Sequence, residues 1–454
     1  MNILIAGDGK VGAMLTRQLS AEGHDITLID NDADVLENSI EQYDVMSVVG
    51  NCASMETLRA ADVRKADLLI TATSSDETNL LCCMTAHGMN PNLHTIARIR
   101  TPEYSESVYA MREMFALSMT VNPEKTAAME IDHLLKYPGF LRRETFAQGL
   151  VEIVEIRIGE KLRKLHGRPL YRLGSIVRCQ VLVCAVTRRG ETVIPSGDFI
   201  LEEGDRIFVT ASSLNLSILM KNLGLVTRPV RNAVIIGAGR LSYYLTNRLL
   251  KEGISVKIID INEERCVKMA EAIPKACVVR GDASVHNTLL KEGVGESDAM
   301  INLTGMDELN IVLGLYGTSN HVPRVITKVG HTDSTQILGN LQVGSIVSPK
   351  ELCCTAIVRY VRAMQNQVGA AESIHSFADG QAEALEFVVT EETRHRGEKL
   401  MDVSMKKNVL VASIARKQQI IFPKGDSYFE VGDRLVIIST GKRAIHQLND
   451  IFAD

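Results

Sequence analysis

The sequence predicts an α/β chain: two doubly wound parallel sheets in tandem, each followed by a small β-rich α+β module. Three observations predict it. A glycine triplet, "GDGKVG" at 7–12, directly follows the apolar run "NILIA" at 2–6. Short apolar runs then alternate with helical stretches as far as residue 123. The same series of motifs returns about 230 residues later.

The first half reads in order. The runs "NILIA", "DITLID", "DVMSVVG", "DLLITAT", "HTIARI" and "LSMTVNP" are strands, each separated from the next by room for a helix. Strands spaced by helices imply a parallel sheet covered on both faces, and right-handed crossovers make it doubly wound. Next comes "PEKTAAMEIDHLLKYPG", a helix whose Ala127, Ala128, Ile131, Leu134 and Leu135 recur at helical spacing. Pro138 and Gly139 stop it. Its apolar face fits either its own sheet or a partner surface. Beyond it, "LVEIVEIRI", "VLVCAVTR" and "DRIFVTA" are strands broken by the turns "RRG" and "EEGD".

The repeat fixes the organisation. Gly237, Gly239 and Asp260 stand 230 residues after Gly7, Gly9 and Asp30. "TGMDELN" at 304–310 follows "TSSDETN" at 73–79 by 231, and "FPKGDSYFEVGDRLVI" at 422–437 follows "IPSGDFILEEGDRIFV" at 194–209 by 228. Ordered matches with so little drift mark a tandem duplication. Length alone suggests about three domains. The repeat divides the chain instead into Rossmann-like domains at 1–123 and 230–349, linking helices at 124–140 and 350–372, and C-terminal modules at 141–226 and 373–454.

Composition excludes several classes. Net charge is −5, so no basic field points to nucleic acid. No run of about 20 apolar residues is present to span a bilayer, and no secretory leader is legible. Nine cysteines, scattered or in adjacent pairs, form neither a disulfide framework nor a zinc spacing, and a reducing compartment is expected. Cys82–Cys83 and Cys353–Cys354 read as small core residues on helices. The histidines are scattered, with no metal site.

The glycine loop carries the chemistry. Gly7 permits the tight turn, Gly9 lets the backbone approach a pyrophosphate, and Gly12 lets the helix pack on the sheet. The helix opening at Lys10 and Val11 turns its free N–H groups toward phosphate. Asp30, at the end of the second strand, accepts from ribose hydroxyls and favours NAD over NADP. Asp8 adds an unwelcome negative charge unless it points to solvent. In the second copy Gly237, Gly239, Arg240 and Asp260 repeat the loop, but the third glycine is Ser242, so helix and strand cannot approach as closely. Lys328 stands where Arg98 stands in the first copy. Whether the second copy is occupied stays open.

"GDGKVG", "TLID", "TATSSDETN", "IARIRTPEY" and "LLKYPG", followed by a β-rich module with "EEGDRIFV", resemble the regulator-of-potassium-conductance (RCK) domain. Two in tandem resemble the TrkA family, the peripheral nucleotide-binding subunits of Trk potassium uptake systems. The resemblance implies NAD(H), or ATP or ADP, as ligand. Thr73 and Ser74 would line the nucleotide cleft, with capping of the helix near Asp76 as their plainer role. Arg98 would reach a phosphate, with a surface ion pair as its plainer role. The resemblance further implies a cytoplasmic subunit peripheral to the inner face of the membrane, a homotetrameric ring of eight domains, and a membrane potassium transporter partner of the TrkH, TrkG or KtrB kind. It implies no catalytic residue. An NAD-dependent oxidoreductase and a scaffold with a purely structural nucleotide are the alternatives. A dehydrogenase needs a further domain to hold substrate, and here each half ends in the same small module.

Overall fold

The computed structural model describes residues 1–136, 142–146, 151–159, 162, 164–224, 229–330, 343–364, 371, 373–378, 381–417, 419–440, 445 and 447–453. They form two compact units, Met1–Lys136 with Pro229–Val358, and Tyr137–Arg228 with Arg359–Asp454.

The first unit opens with β1 (Asn2–Ala6), α1 (Lys10–Ala21), β2 (Asp25–Asp30), α2 (Ala33–Gln42), β3 (Met46–Val49), α3 (Met55–Ala60), β4 (Leu68–Thr71), α4 (Asp76–Met89), β5 (His94–Arg98), α5 (Pro102–Ala110), β6 (Met119–Val121) and α6 (Pro123–Lys136). The strands form one parallel sheet in the order β3-β2-β1-β4-β5-β6. Because β1 has β2 on one side and β4 on the other, the chain reverses direction across the sheet at the carboxyl end of β1. That crevice is where such sheets bind ligands. Ile3, Ile5, Leu28 and Ile70 are wholly buried, as strands covered on both faces require.

Five strands of the second unit come next in the chain, β7 (Arg142–Phe146), β8 (Val151–Arg157), β9 (Leu182–Arg188), β10 (Glu191–Val193) and β11 (Arg206–Ala211), with α7 (Leu173–Val177) and α8 (Ser213–Leu223). The first unit then resumes with β12 (Asn232–Ile236), α9 (Arg240–Lys251), β13 (Ser255–Asp260), α10 (Glu263–Ala272), β14 (Cys277–Arg280), α11 (His286–Lys291), β15 (Ala299–Asn302), α12 (Asp307–Ser319), β16 (Val325–Lys328), β17 (Ser345–Val347) and, as far as Val358, α13 (Pro349–Met364). Its sheet, β14-β13-β12-β15-β16-β17, repeats the first in order and direction.

The helix α6 resolves the choice its apolar face left open. Ala127, Ala128, Ile131, Leu134 and Leu135 share one core with Ala233, Ile235, Leu241, Leu245 and Leu249 of the second half. At about 1.5–3 kcal/mol for each fully buried large side chain, this face is a strong clasp. Asp132, buried in the same seam, accepts from Arg248 Nε at 3.1 Å and from Lys136 Nζ at 3.2 Å, while Lys136 also meets Glu252 at 2.6 Å. Pro138 and Gly139, expected to stop this helix, lie outside the described residues.

In the second unit, β10-β9-β11-β8-β7 is an antiparallel sheet, matched by β18 (Ser373–Phe377), β19 (Ala382–Val388), β20 (Val409–Arg416), β21 (Gln419–Ile421) and β22 (Arg434–Ser439) in the order β18-β19-β22-β20-β21. The two sheets share a core in which the Phe208 and Phe377 rings lie 4.8 Å apart. The repeated "GDR" does turn the chain into β11 and β22, with Gly204 and Gly432 at positive φ. It also buries Asp205 and Asp433, each gripped by an arginine of the neighbouring strand: Arg188 Nε and Nη2 reach Asp205 at 2.8 Å, and Arg416 repeats this with Asp433.

Candidate functional site

The glycine loop between β1 and α1 holds three glycines for three different reasons. Gly7 has φ +95°, and a Cβ there would stand 2.8 Å from Thr73 N. A Cβ on Gly12 would stand 2.0 Å from the Gly7 carbonyl oxygen. Both are demanded by the fold itself. Gly9 is not: its φ is −68°, and a Cβ there would meet nothing within 4 Å. The space beside this N-cap glycine leaves the backbone open to a ligand approaching it.

The helix behind it is left open. Ser75 caps α4 through Thr78 N at 3.1 Å, and Asp32 caps α2 through Asp34 N at 3.0 Å. α1 follows Gly9 with no side-chain cap and no acidic residue in its first turn, and α9 follows Gly239 in the same way. Their first N–H groups and the positive dipole end are available to an anion.

A cleft of about 960 Å³ opens in front of this loop, within the first unit, and both halves line it. Gly7, Gly9, Lys10, Val11, Asp30, Thr73, Ser74, Arg98, Arg240 and Lys328, all candidates from the sequence, lie on its wall. Gly12, Gly237, Gly239, Ser242 and Asp260 do not belong to that wall. The cleft also takes in residues that sequence reasoning missed, among them Arg100, Glu124, Asp307, Glu308 and Lys350. Thus six cations (Lys10, Arg98, Arg100, Arg240, Lys328, Lys350) face four carboxylates (Asp30, Glu124, Asp307, Glu308) in a chain of net charge −5.

These cations are crowded. Burial lowers the Arg98 guanidinium from its ordinary value, and neighbouring Arg100 lowers it further. Burial also lowers Lys328 and Lys350, the latter helped by Lys10. Arg98 Nη2 donates to the Thr73 carbonyl and Arg100 Nη2 to the Ser74 carbonyl. Arg98 Nε is buried without a hydrogen-bond partner among the described residues. An anionic ligand would relieve both conditions.

Asp30 closes β2, and its carboxylate first organises the loop: Oδ2 accepts from Asp8 N at 2.7 Å, Oδ1 from Asp32 N at 3.1 Å. Each oxygen keeps a further lone pair for a ribose hydroxyl. Asp260 repeats this, accepting from Ala238 N at 2.7 Å and Asn262 N at 2.8 Å. Ser242 is fully buried and donates to the Gly237 carbonyl. The cap on α4 that the sequence offered to Thr73 or Ser74 belongs to Ser75. Thr73 Oγ1 instead donates to Asn79 Oδ1 at 2.7 Å.

Asn79 is the principal residue the sequence reading passed over. Its Oδ1 also accepts from Thr73 N at 3.0 Å, and its Nδ2 donates to the Arg98 carbonyl at 2.8 Å, so one buried side chain ties together two cleft loops. Asn310 does the same for Thr304 and Lys328. The signal was present, since both asparagines end the repeated "TSSDETN" and "TGMDELN" motifs.

Asp8 does not point to solvent. It is 2% exposed, and burial pushes its carboxyl up to about 6; the Ser39 hydroxyl works against this and the Asp30 charge adds to it. A folded value above the ordinary 3.8 means that the folded state holds this proton more tightly. Stability therefore falls as pH rises from about 4 to about 6 and stays lower above that. Asp8→Asn should stabilise the chain by about 2–3 kcal/mol at pH 7.5 and by under about 1 kcal/mol at pH 4. Urea midpoints at the two pH values check this.

Comparison with known proteins decides the family. The TrkA-N domain family matches residues 3–119 and 233–349, and the TrkA-C domain family matches 153–224 and 384–453. The chain belongs to the TrkA family. Trk system potassium uptake protein TrkA of Halomonas elongata is 28% identical over all of this chain and 98% of its own. The TrkA homolog of Archaeoglobus fulgidus is 29% identical over the full length of both. Among solved structures, the GsuK channel matches 97% of this chain and 77% of its own at TM-score 0.65 and 19% identity, and GsuK bound to NAD matches at TM-score 0.63. At that identity the likeness shows a shared fold. Within this TrkA chain, no helix among the described residues is long and apolar enough to cross a membrane.

Proposed function

We propose that this TrkA chain is a nucleotide-sensing regulatory subunit that assembles into a ring and gates a membrane potassium uptake protein, from a cytoplasmic position at the inner face of the membrane. One observation supports it most: an uncapped helix N-terminus, a glycine whose Cβ position is open, and crowded cations of both halves converge on one cleft. The phosphates of NAD(H), ATP or ADP fit the Gly7–Gly12 loop. Arg98, Lys10 and Lys328 neutralise them, and Asp30 takes a ribose. The division into domains at 1–123, 124–140, 141–226, 230–349, 350–372 and 373–454 belongs to this reading. The relatives named for Trk potassium uptake supply the transporter partner.

Gating needs a ligand that prefers one arrangement of the assembly. A tenfold preference at one site is worth about 1.4 kcal/mol, so several coupled sites in a ring shift a population decisively. A cleft walled by both halves is suited to this, because a ligand touching both senses their separation. No step of this reading requires bond chemistry on the nucleotide. Steady NADH oxidation with a panel of carbonyl substrates would favour the oxidoreductase alternative instead.

Ring formation has its own surface. Leu81 (54% exposed) and Met84 (43%) lie on α4, one turn apart, and Val312 (60%) and Leu315 (36%) repeat the pair on α12. We assign these faces to contacts between copies of the chain. Leu81→Glu combined with Val312→Glu should shift sedimentation from a tetramer to smaller species at micromolar concentration. An unchanged sedimentation profile would remove the assignment.

The direct test is calorimetry of NAD, NADH, ATP and ADP on the intact chain. Asp30→Asn loses the charge and keeps one of the two acceptors the loop uses, so urea unfolding is read beside the binding. NAD affinity should fall about tenfold, or about 1–2 kcal/mol, for one charge-assisted ribose contact. Heat-silent titrations with all four nucleotides would sink the reading.

A further inference from the structure

The cleft wall carries a thiol that nucleotide binding does not use. Cys52, in the loop between β3 and α3, is 5% exposed yet lines the cleft. Cys82, on α4, is fully buried behind it in the same apolar cluster, with Leu4, Ala6 and Leu58. Each thiol is the largest influence on the other's titration, so the two sulfurs lie close together. In the second half the equivalent positions, 231 residues on, hold Ala283 and Leu313. The fold thus accepts alanine and leucine here, and packing alone gives no reason for two sulfurs to meet at the first cleft.

We propose that Cys52 and Cys82 are a modification site: a peroxide entering the cleft oxidises Cys52, and Cys82 resolves it to a disulfide. The Cys52 thiolate attacks one peroxide oxygen, the O–O bond breaks, and the departing oxygen leaves as water, giving a sulfenic acid on Cys52. The Cys82 sulfur then attacks the Cys52 sulfur, the S–O bond breaks, and a second water leaves. Two thiols are oxidised by two electrons and one peroxide is reduced to two waters. The division of roles follows the surroundings. Cys52 lies on the cleft wall and meets the peroxide first, whereas Cys82 is enclosed behind it. Closing the bond draws the sulfurs to about 2.05 Å. That moves the loop that contributes Gly50 and Cys52 to the cleft. The coupling to ligand rests on the nucleotide reading; the thiol chemistry does not.

The experiment uses the full chain and hydrogen peroxide. Free thiols counted in denaturant should fall by two from the nine present, and peptide mapping should find Cys52 joined to Cys82. Cys52→Ala, which copies Ala283, should keep all its thiols under the same treatment. Saturating NAD should slow the loss by covering Cys52. Loss of no thiols, or a link between other cysteines, overturns the proposal. A disulfide forming at one rate with and without bound NAD overturns the coupling to ligand. A chain that forms the disulfide yet gives no heat in calorimetry with NAD, NADH, ATP or ADP supports the thiol pair while sinking the nucleotide reading, so the two failures are distinguishable.

Discussion

Gly12→Ala should destabilise the first half by about 3 kcal/mol or more and remove the nucleotide binding proposed for it, while the matched change in the second half, Ser242→Ala, should cost only about 1 kcal/mol. The added methyl group would stand 2.0 Å from the Gly7 carbonyl oxygen. That carbonyl has nowhere to retreat. Gly7 N is bonded to the Ile29 carbonyl at 2.8 Å, and the other side of Gly7 lies against the Thr73 backbone. The methyl must instead push α1 off the sheet, carrying away the N–H groups that face the cleft. In the second half a Cβ is already accommodated at residue 242, and Ser242→Ala loses only the hydroxyl's bond to Gly237. Urea unfolding of both variants, with NAD calorimetry on each, reads the contrast. Equal stability losses would show that the two loops are packed alike and that the third glycine is not what distinguishes them.

This contrast also shows what the residues reveal unaided. The parallel sheets were legible because their strands are short apolar runs bounded by glycine and polar turns; β1 and β2 have the bounds that "NILIA" and "DITLID" announce. The loop was legible because its glycines have distinct steric jobs at fixed spacing. What stayed hidden depends on distant partners. Asn79 is one polar residue in a helix until its neighbours prove to be Thr73 and the Arg98 carbonyl. Asp8 looked like a charge beside phosphate because sequence does not say which way a loop side chain turns. Lys350 and Glu124 occupy corresponding positions at the starts of α13 and α6 with opposite charges, and nothing local places both on one cleft wall. That follows only from how the halves meet, and α6 governs their meeting.

Breaking the polar centre of that meeting has the second large expected effect. The Asp132 side chain is 1% exposed, whereas its partners Arg248 and Lys136 are 37% and 41% exposed. The carboxylate has left water almost completely, and its stability depends on the two cations that reach it. Arg248→Ala removes the closer one and leaves a buried charge held by Lys136 alone, a loss of about 3 kcal/mol for a partly broken buried pair. Replacing both members, Asp132→Leu with Arg248→Met, removes the desolvation cost together with the attraction. It should recover most of the stability, because the surrounding Ile131, Leu135, Leu245 and Leu249 already form an apolar seam. Hydrogen exchange checks this locally: the α6 and α9 amides of Arg248→Ala should exchange about a hundredfold faster, and those of the double variant near the original rate. Because Glu124 lies in the first turn of α6 and Arg240 in that of α9, loosening this seam separates residues that share the cleft. NAD affinity should follow the exchange rates across the three proteins. Affinity that ignores them would mean that one half binds its ligand without help from the other.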